Sequence, residues 1–271
     1  MSNEYAMLIF ILADVVIALL LIAVCYRQTF KPLMDFICGL TAAVVIMPVF
    51  LTVLLISFIH VLRTNEYTSV FTARPFAGKN GKRVNSYTFT VESSLTGELT
   101  KFGKFLRRTR LEKLPVIYDL LFLKRSIVGV KPLSLNDEKF VSGEDYRRFK
   151  ARPGFFNPLY AFSRTAGQKV TYEDMFFWDA HYAKKCSLLG DLRIIFTALL
   201  RKARGEKNDE VFGETGEKSY CEVLLERGEI EPSDYAEAVE ETKREEEYSD
   251  EEEESEEEEE YSDEAEDEED W

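Results

Sequence analysis

An apolar run from residue 31 to residue 62 constrains this chain more than any other feature of its sequence. The run exceeds the roughly 20 apolar residues that a simple spanning helix needs, and it carries Asp35 near its start and Pro48 near its middle. Proline inside a helix removes a backbone hydrogen bond and kinks or ends the helix, and in lipid that defect requires a local rescue. The sequence therefore predicts a helix that enters the bilayer, bends at Pro48 and leaves on the same face.

Basic residues on both sides of this run favour the re-entrant path. Cytoplasmic flanks of membrane segments are enriched in Lys and Arg. A spanning helix would place one of the two flanks outside, whereas a re-entrant helix keeps both in the cytoplasm. An ordinary kinked transmembrane helix is the alternative. The basic residues are Arg27 and Lys31 before the run, and Arg63, Arg74, Lys79, Lys82 and Arg83 after it.

A second apolar stretch, from Tyr5 to Tyr26, precedes this run and is long enough to span a bilayer. Only Glu4 carries a charge before it and Arg27 follows it, which predicts an outward N-terminus. A cleavable signal peptide would need a basic start and a small-residue cleavage site, and neither is present. Asp14, in mid-span, is either a functional carboxylate or a contact to a partner helix.

The net charge of −15 hides two opposite parts of the chain. Residues 229–271 contain 26 Asp and Glu against two basic residues, a net of −24, so residues 1–228 carry +9. A basic body beside a membrane suits anionic lipids or phosphate-bearing ligands. An acidic block with few apolar residues cannot bury enough surface to fold, so we predict a disordered tail.

The cysteines and histidines point to no metal site. Four cysteines form no CxxC pair and two histidines form no HExxH motif, so neither a disulfide framework nor a zinc site is predicted. A reduced, cytoplasmic setting fits. Nucleic-acid binding is not predicted either, because the basic surplus is modest, lies beside a membrane and accompanies no recognition motif.

The part between membrane and tail predicts one compact domain of mixed helices and strands. Two β-rich runs flank Asn80-Gly81, a strong hairpin signal. Residues 99–123 and 171–204 have apolar residues at helical spacing. The second helical region ends in Arg201, Lys202 and Arg204, and its apolar face suits either the membrane interface or the domain core.

Several motifs, in one order along residues 29–204, resemble those of the monotopic phosphoglycosyl transferases, the bacterial sugar transferase family. In that family the re-entrant helix begins with a basic residue and an aspartate and breaks at a proline thirteen residues after the aspartate. Lys31, Asp35 and Pro48 match this spacing. The other similar segments are KFGKFLRRTRLEKLP at 101–115, SIVGVKPL at 126–133, RPGF at 152–155 and DAHYAKKCSLLGDLRII at 179–195.

The resemblance implies a membrane-associated α/β fold in four parts. These are a transmembrane helix at 1–28, a re-entrant helix at 29–62, a small, mostly helical cytoplasmic domain with a β-hairpin at 63–205, and a disordered acidic tail at 206–271. Family members transfer a sugar phosphate from a nucleotide sugar to polyprenyl phosphate and use Mg²⁺. The implied location is the bacterial inner membrane, with the domain and tail in the cytoplasm.

The catalytic pair of the family is Asp-Glu, and here it is Glu112-Lys113. The family's aspartate attacks phosphorus and its glutamate helps to hold magnesium. Glu112 is still a carboxylate that can form a covalent phosphoryl intermediate, but it places the attacking oxygen one methylene further out. Lys113 is a larger change, because an ammonium has no lone pair for Mg²⁺. Mg²⁺ is therefore expected for the family and doubtful in this chain.

Other phosphate-binding motifs depart from the family as well. Its Lys-Phe-Arg-Thr strand is residues 88–91 here, Thr-Phe-Thr-Val, which lacks both cations. Lys131-Pro132 stands where the family has Arg-Pro, so a bidentate fork becomes a point charge. Arg152 begins a shortened match to the Arg-Pro-Gly-Ile-Thr-Gly motif, and Arg107 aligns with a phosphate-contacting arginine. The predicted phosphate and nucleotide contacts are thus Arg107, Lys131, Pro132 and Arg152.

Two hypotheses follow for the function. In the first, the chain is an enzyme with altered chemistry, in which Glu112 attacks and Lys113 neutralises phosphate charge. In the second, it is a non-catalytic relative that binds polyprenyl phosphate, a nucleotide sugar or an active homologue and so regulates glycan initiation. A separate question is the acidic tail, which either stays solvated, docks a basic partner or folds onto the basic domain as a competing polyanion.

Overall fold

The computed structural model describes residues 2–64, 69–94, 96–162, 170–206, 215 and 218–244. The described chain is mostly helical and contains two small two-stranded sheets. The α-helices are α1 (Ser2–Cys25), α2 (Lys31–Arg63), α3 (Lys101–Thr109), α4 (Tyr118–Leu121), α5 (Leu135–Lys139), α6 (Leu159–Phe162), α7 (Tyr172–Lys184), α8 (Leu188–Ala203), α9 (Tyr220–Arg227) and α10 (232–244). The strands are β1 (Phe71–Ala77), β2 (Arg83–Phe89), β3 (Ser126–Val128) and β4 (Gly154–Phe156).

The two N-terminal helices follow each other without a loop. One π-helical turn, Tyr26–Phe30, joins α1 to α2, and α2 continues as a single helix past Pro48. The helix Tyr26–Arg63 is the one in the described chain that is long and apolar enough, by length and composition, to cross a membrane. The predicted bend at Pro48 and the return to one membrane face stay predictions, as does the spanning role of α1.

One face of α2 forms a wall of the domain. Gly39 lies against α4 so closely that a Cβ there would stand 2.7 Å from Cβ of Leu120. Further along, Val53 is buried against an apolar cluster that includes Phe89 and Leu106. Most other apolar side chains of α2 are exposed. The helix therefore carries two surfaces, one built into the fold and one that exposes apolar side chains.

The predicted hairpin is confirmed. β1 and β2 pair antiparallel from Phe71↔Phe89 to Ala77↔Arg83. The connecting turn places Asn80 at φ 61° and Gly81 at φ 72°, the left-handed region that Asn and Gly adopt most readily. The Asn-Gly signal therefore identified both the hairpin and its turn.

A second, parallel sheet brings two of the sequence motifs together. Ser126 and Val128 of β3 pair with Gly154 and Phe156 of β4. The backbones approach so closely that a Cβ on Gly154 would lie 2.1 Å from the backbone nitrogen of Gly129. Only glycine fits at this contact, which explains why a glycine occurs in each motif at this position.

The prediction of a disordered tail from residue 206 is wrong for residues 220–244. Helix α9 begins with a capping box between Ser219 and Glu222 and buries Cys221, Val223 and Leu224. Val223 belongs to the same core cluster as Met175 and Phe176 of α7. Averaging charge over a long acidic segment concealed this short apolar face. Residues 245–271, which hold most of the acidic run, lie outside the described residues.

The two predicted helical regions are each divided in the structure. The first becomes α3, the 3-10 turn Leu111–Ile117 and α4, and the second becomes α7 and α8. Helix α8 buries Ile194 and Ala198 and exposes other apolar residues along the same helix. It therefore has both a core-facing side and an apolar exposed side. The exposed residues are Leu189, Leu192, Phe196, Leu199 and Leu200.

Substituting Gly103 with alanine tests the packing of α3. A Cβ at this position would lie 1.9 Å from the carbonyl oxygen of Val91. Alanine gains about 1 kcal/mol of helix propensity over glycine, but overpacking against backbone costs about 1–3 kcal/mol or more, so we expect a net loss of stability. Thermal unfolding in detergent measures it. Gly190→Ala, at a helix position where the new Cβ meets only the Ser187 hydroxyl, should be as stable as the wild type or up to about 1 kcal/mol more stable. Equal melting temperatures for the two variants would contradict this account.

Candidate active site and its electrostatics

The Glu112-Lys113 pair lies on the 3-10 turn that follows α3. Arg110 has φ 59° and reverses the chain between α3 and this turn. Leu111 and Leu114, on either side of the pair, pack against the Phe89–Leu106 cluster and fix the turn to the domain. Glu112 is half-buried and Lys113 is exposed. The pair therefore lies on a 3-10 turn inside the region that the sequence predicted to be helical.

Arg107 lies in the last turn of α3, just ahead of this pair. Its guanidinium is exposed and stands 3.8 Å from the Glu92 carboxylate, at the outer limit of an ion pair. Exposed pairs of this kind contribute about 0–1 kcal/mol. Arg107 is thus weakly held, and its contact to a phosphate stays a prediction.

The residues at the pair do not fit the two-carboxylate arrangement implied for magnesium. Mg²⁺ is commonly bound by one or two carboxylates together with substrate phosphates. Position 113 presents an ammonium, which repels a cation. No cluster of three Asp, Glu, His or Cys residues suited to a metal occurs in the part of the chain that the structure describes. We therefore derive no step through a metal ion.

Lys131 belongs to a buried charge network that reasoning from the sequence did not find. The backbone N–H of Lys131 donates to Oδ2 of Asp179 over 3.3 Å. Nη2 of Arg148 donates to the same carboxylate oxygen over 2.6 Å and also to the Lys131 carbonyl. The side chains of both Arg148 and Asp179 are completely buried. Arg148 and Asp179 thus hold the Lys131-Pro132 loop in place from behind.

Burial sets the electrostatics of this network. Desolvation lowers the pKa of Lys131 to about 8, and Arg148 adds to the effect while Asp179 opposes it. Desolvation also raises the pKa of Asp179 to about 6, against the stabilising influence of Arg148. Arg148 Nε and Nη1 and Asp179 Oδ1 have no hydrogen-bond partner among the described residues. The network therefore buries charged groups away from water, where a polar atom without a hydrogen-bond partner lowers the stability of the fold.

Two residues of the predicted re-entrant motif, Lys31 and Asp35, fasten the start of α2 to the domain. The Lys31 ammonium bonds to Asp191 on α8 and to the Tyr182 hydroxyl on α7. Asp35 accepts from the Ser126 hydroxyl at 2.7 Å and from the Ile127 N–H at 2.9 Å. The spacing of these residues in the sequence indicated a membrane motif, whereas their partners lie far along the chain.

Arg152 is separated from the other predicted phosphate contacts. It lines a cavity together with Lys31 and Asp35, and neither Glu112 nor Lys113 is part of that lining. The structure therefore divides the predicted site residues into three groups. These are Glu112, Lys113 and Arg107 at the α3 turn, Lys131 on the buried network with Pro132 next to it in the chain, and Lys31, Asp35 and Arg152 around the cavity at the beginning of α2.

The order of these motifs and the one candidate membrane helix of the described chain are those expected of the sugar-transferase class, and comparison with known families agrees. Residues 26–204 match the family described as bacterial sugar transferase. The chain therefore belongs to the bacterial sugar transferase family.

Individual relatives carry related names. The chain is 27% identical over 193 residues to a UDP-glucose:undecaprenyl-phosphate glucose-1-phosphate transferase of Klebsiella pneumoniae. This match covers 65% of the present chain and 40% of the relative. It is 24% identical over 197 residues to an uncharacterized sugar transferase of Haemophilus influenzae, covering 62% and 40%. It is 27% identical over 154 residues to the uncharacterized sugar transferase EpsL of Bacillus subtilis, covering 53% and 75%. The match to the Klebsiella and Haemophilus relatives thus spans well under half of their length.

Proposed function

We propose that this chain acts in the initiation of a polyprenyl-linked glycan at the cytoplasmic face of a bacterial inner membrane, with the standard catalysis of its family impaired or altered. The family reaction moves a sugar 1-phosphate from a nucleotide sugar to polyprenyl phosphate. Relatives named for UDP-glucose, UDP-galactose and undecaprenyl phosphate support these substrate classes. The observation that carries the proposal is Glu112-Lys113 at the position of the catalytic pair.

The chemistry open to this pair can be written from its residues. If the chain is active, the Glu112 carboxylate attacks the phosphorus that bears the sugar, and the bond from that phosphorus to the UMP oxygen breaks. UMP leaves, and a phosphate oxygen of polyprenyl phosphate then displaces Glu112. Lys113 supplies positive charge near the transferring group, as a lysine can in phosphoryl transfer. A misplacement of about 1 Å by the longer Glu112 side chain costs on the order of a hundredfold in rate.

A non-catalytic role is the second candidate, and a specific observation favours it. Arg107 and Lys113 supply cations at the α3 turn, while the second carboxylate of the family's pair is missing. Such a site retains the charge that binds phosphate and loses the group that would assist its transfer. A chain of this kind would bind polyprenyl phosphate, a nucleotide sugar or an active homologue and so organise initiation.

Release of UMP decides between the two candidates. The purified chain in a nanodisc is offered UDP-sugars and polyprenyl phosphate, with and without Mg²⁺. We expect slow UMP release that Glu112→Gln abolishes, with little dependence on Mg²⁺ because position 113 is a lysine. Lys104→Gln, on an exposed residue of α3, is the matched control and should have no effect. No UMP with any sugar, alongside measurable nucleotide or polyprenyl phosphate binding, would establish the binding role.

The lowered pKa of Lys131 predicts that nucleotide-sugar binding depends on pH. Its pKa in the folded chain is lowered to about 8, so its ammonium is present at pH 7 and is lost as pH rises through 8. We expect affinity for UDP-sugars to fall between pH 7 and pH 9. Lys131→Arg, whose guanidinium stays charged throughout this range, should remove that step. A wild-type affinity that is flat across this range would show that Lys131 does not contact the ligand.

A further inference from the structure

A cavity of about 480 Å³ lies where the start of α2 meets the parallel sheet. Its walls come from the π-helical turn, the first turns of α2, β3, the hairpin tip and the segment before β4. Neither Glu112 nor Lys113 lines it, so the cavity is separate from the candidate catalytic pair. Among its described lining residues, one is acidic, Asp35, and five are basic. The basic residues are Arg27, Lys31, Lys79, Lys150 and Arg152.

The positive charge of this cavity is only partly neutralised by the rest of the domain. Lys31 is paired with Asp191. The side chains of Lys79, Lys150 and Arg152 make no hydrogen bond or ion pair to any residue that the structure describes. A surplus of positive charge therefore lines the cavity, and a concave site lined by charge of one sign attracts ligands of the opposite sign.

Helix α10 fixes the point from which the acidic segment leaves the domain. Its residues Ala238 and Thr242 are buried. Glu241 pairs with Lys139 of α5, with 2.7 Å between the carboxylate oxygen and the ammonium nitrogen. The helix ends at Arg244, so the acidic segment that follows it begins about one helical turn from this contact with α5.

Helix α5 also contacts the hairpin tip, which forms one wall of the cavity. Glu138, the residue before Lys139, lies so close to the tip that a Cβ on Gly81 would stand 2.7 Å from its Oε1. The same tip carries Lys79, one of the basic lining residues. The end of α10 and this wall of the cavity therefore both contact one short helix.

The segment that follows α10 has the charge and the length to occupy the cavity. Residues 245–271 contain 20 Asp and Glu and neither Lys nor Arg. A chain of this length reaches up to about 90 Å when extended, so a cavity one short helix away is within its reach. Tethering makes binding an intramolecular event, at an effective concentration on the order of millimolar. A modest intrinsic affinity is therefore sufficient for the bound state to predominate.

We propose that residues 245–271 dock in this cavity, with their carboxylates against Lys79, Lys150 and Arg152, and thereby close it to other anions. The acidic segment then acts as an autoinhibitory element of the chain. Salt releases it, because dissolved ions screen interactions between exposed charges. The contact uses neither Glu112 nor Lys113, so it holds whether or not the chain catalyses sugar-phosphate transfer.

The exposed basic residues of α3 are the competing surface for the acidic segment. They are Lys101, Lys104, Arg107 and Arg108. The cavity is favoured over α3 for two reasons. Its basic residues come from several elements and surround one space, and α10 is anchored through α5 next to its wall.

Carbodiimide cross-linking of the full chain in a neutral detergent detects the contact. The reagent joins a carboxylate to an amine that touches it, without a spacer. Trypsin cuts after Arg244 and at no position within 245–271, so mass spectrometry finds the segment as one peptide attached to its partner lysine. The reporter lysines are Lys79 and Lys150 in the cavity and Lys104 on α3. Mixing unlabelled with ¹⁵N-labelled chains separates links within one chain from links between two chains.

Two variants test the role of the cavity charge. Arg27→Gln with Arg152→Gln lowers that charge and leaves both cavity lysines in place as reporters. The matched control is Arg74→Gln with Arg108→Gln, which removes two arginines that are exposed or half-buried outside the cavity lining. Thermal unfolding verifies that both variants are folded. The salt dependence of the wild-type chain tests the proposal by itself if the cavity variant does not fold.

At low salt we expect links within one chain to the two cavity lysines, in clear excess over links to Lys104. These links should fall about fivefold or more in the cavity variant and stay unchanged in the control. They should also fall in about 1 M NaCl, where the Debye length is about 3 Å. Links mainly to Lys104, links mainly between labelled and unlabelled chains, equal loss in both variants or no link to the domain would overturn the proposal. Links between chains would make the segment of a second copy the occupant.

Discussion

The double variant Glu112→Asp with Lys113→Glu is expected to raise UMP release from UDP-sugar by about a hundredfold or more. Shortening residue 112 returns the attacking oxygen to the family's distance, a correction of about 1 Å that is worth on the order of a hundredfold. A glutamate at 113 supplies an oxygen ligand where the wild type has an ammonium. The gain should therefore appear only with Mg²⁺ present. UMP release in a nanodisc with polyprenyl phosphate is the measurement.

Two controls give this result its meaning. Lys113→Gln removes the positive charge without adding a ligand, so it should not reproduce the gain. Lys104→Glu makes the same charge change on the exposed face of α3 and should have no effect. If the folded double variant releases no UMP, restoring the catalytic pair is not sufficient, and other residues needed for the reaction are also missing from the site. If Lys113→Glu alone abolishes an activity that the wild type possesses, Lys113 is part of an altered mechanism.

The second large effect is expected at the buried pair of Arg148 and Asp179. Replacing Asp179 with alanine leaves the completely buried Arg148 guanidinium without its carboxylate. Breaking such a pair by removing one partner costs about 3–5 kcal/mol, which corresponds to a fall of about 10 °C or more in melting temperature for a domain of this size. Thermal unfolding in detergent, followed by tryptophan fluorescence, measures the change.

Neighbouring residues and pH provide the matched comparisons. Arg148→Met should be strongly destabilising, whereas Arg147→Met, at an exposed residue that pairs with Glu144, should change stability by less than about 1 kcal/mol. Arg148→Met leaves Asp179 as a lone buried carboxylate, and protonation relieves that charge. The destabilisation should therefore be smaller at pH 5 than at pH 8. Equal melting temperatures for the two methionine variants would contradict the role assigned to Arg148.

Local features of the fold could be predicted from the sequence because their causes are local. The Asn80-Gly81 turn and the β-rich runs on either side of it predicted the hairpin. The order of the motifs along the chain predicted the family. The apolar run specified α2 within one or two residues of its ends.

Features that depend on distant contacts could not be predicted in the same way. Arg148 lies in a stretch with other basic residues and looks like a surface arginine, yet it is completely buried against Asp179, 31 residues away. The pairing of Lys31 with Asp191 spans 160 residues. Helix α9 was missed for a different reason. Its apolar face belongs to a helix of only eight residues, and the net charge averaged over the acidic segment around it concealed that face.

The packing of α2 has a consequence for how this protein can be handled. A membrane anchor joined by a linker can be cut away to leave a soluble domain, but α2 supplies Gly39, Phe50 and Val53 to contacts inside the domain. Removing it would open the Phe89–Leu106 cluster to water and leave the Asp191 carboxylate without Lys31. Separation from the bilayer and loss of the native structure are therefore coupled, and the folded domain is to be obtained together with its helix, in detergent or lipid.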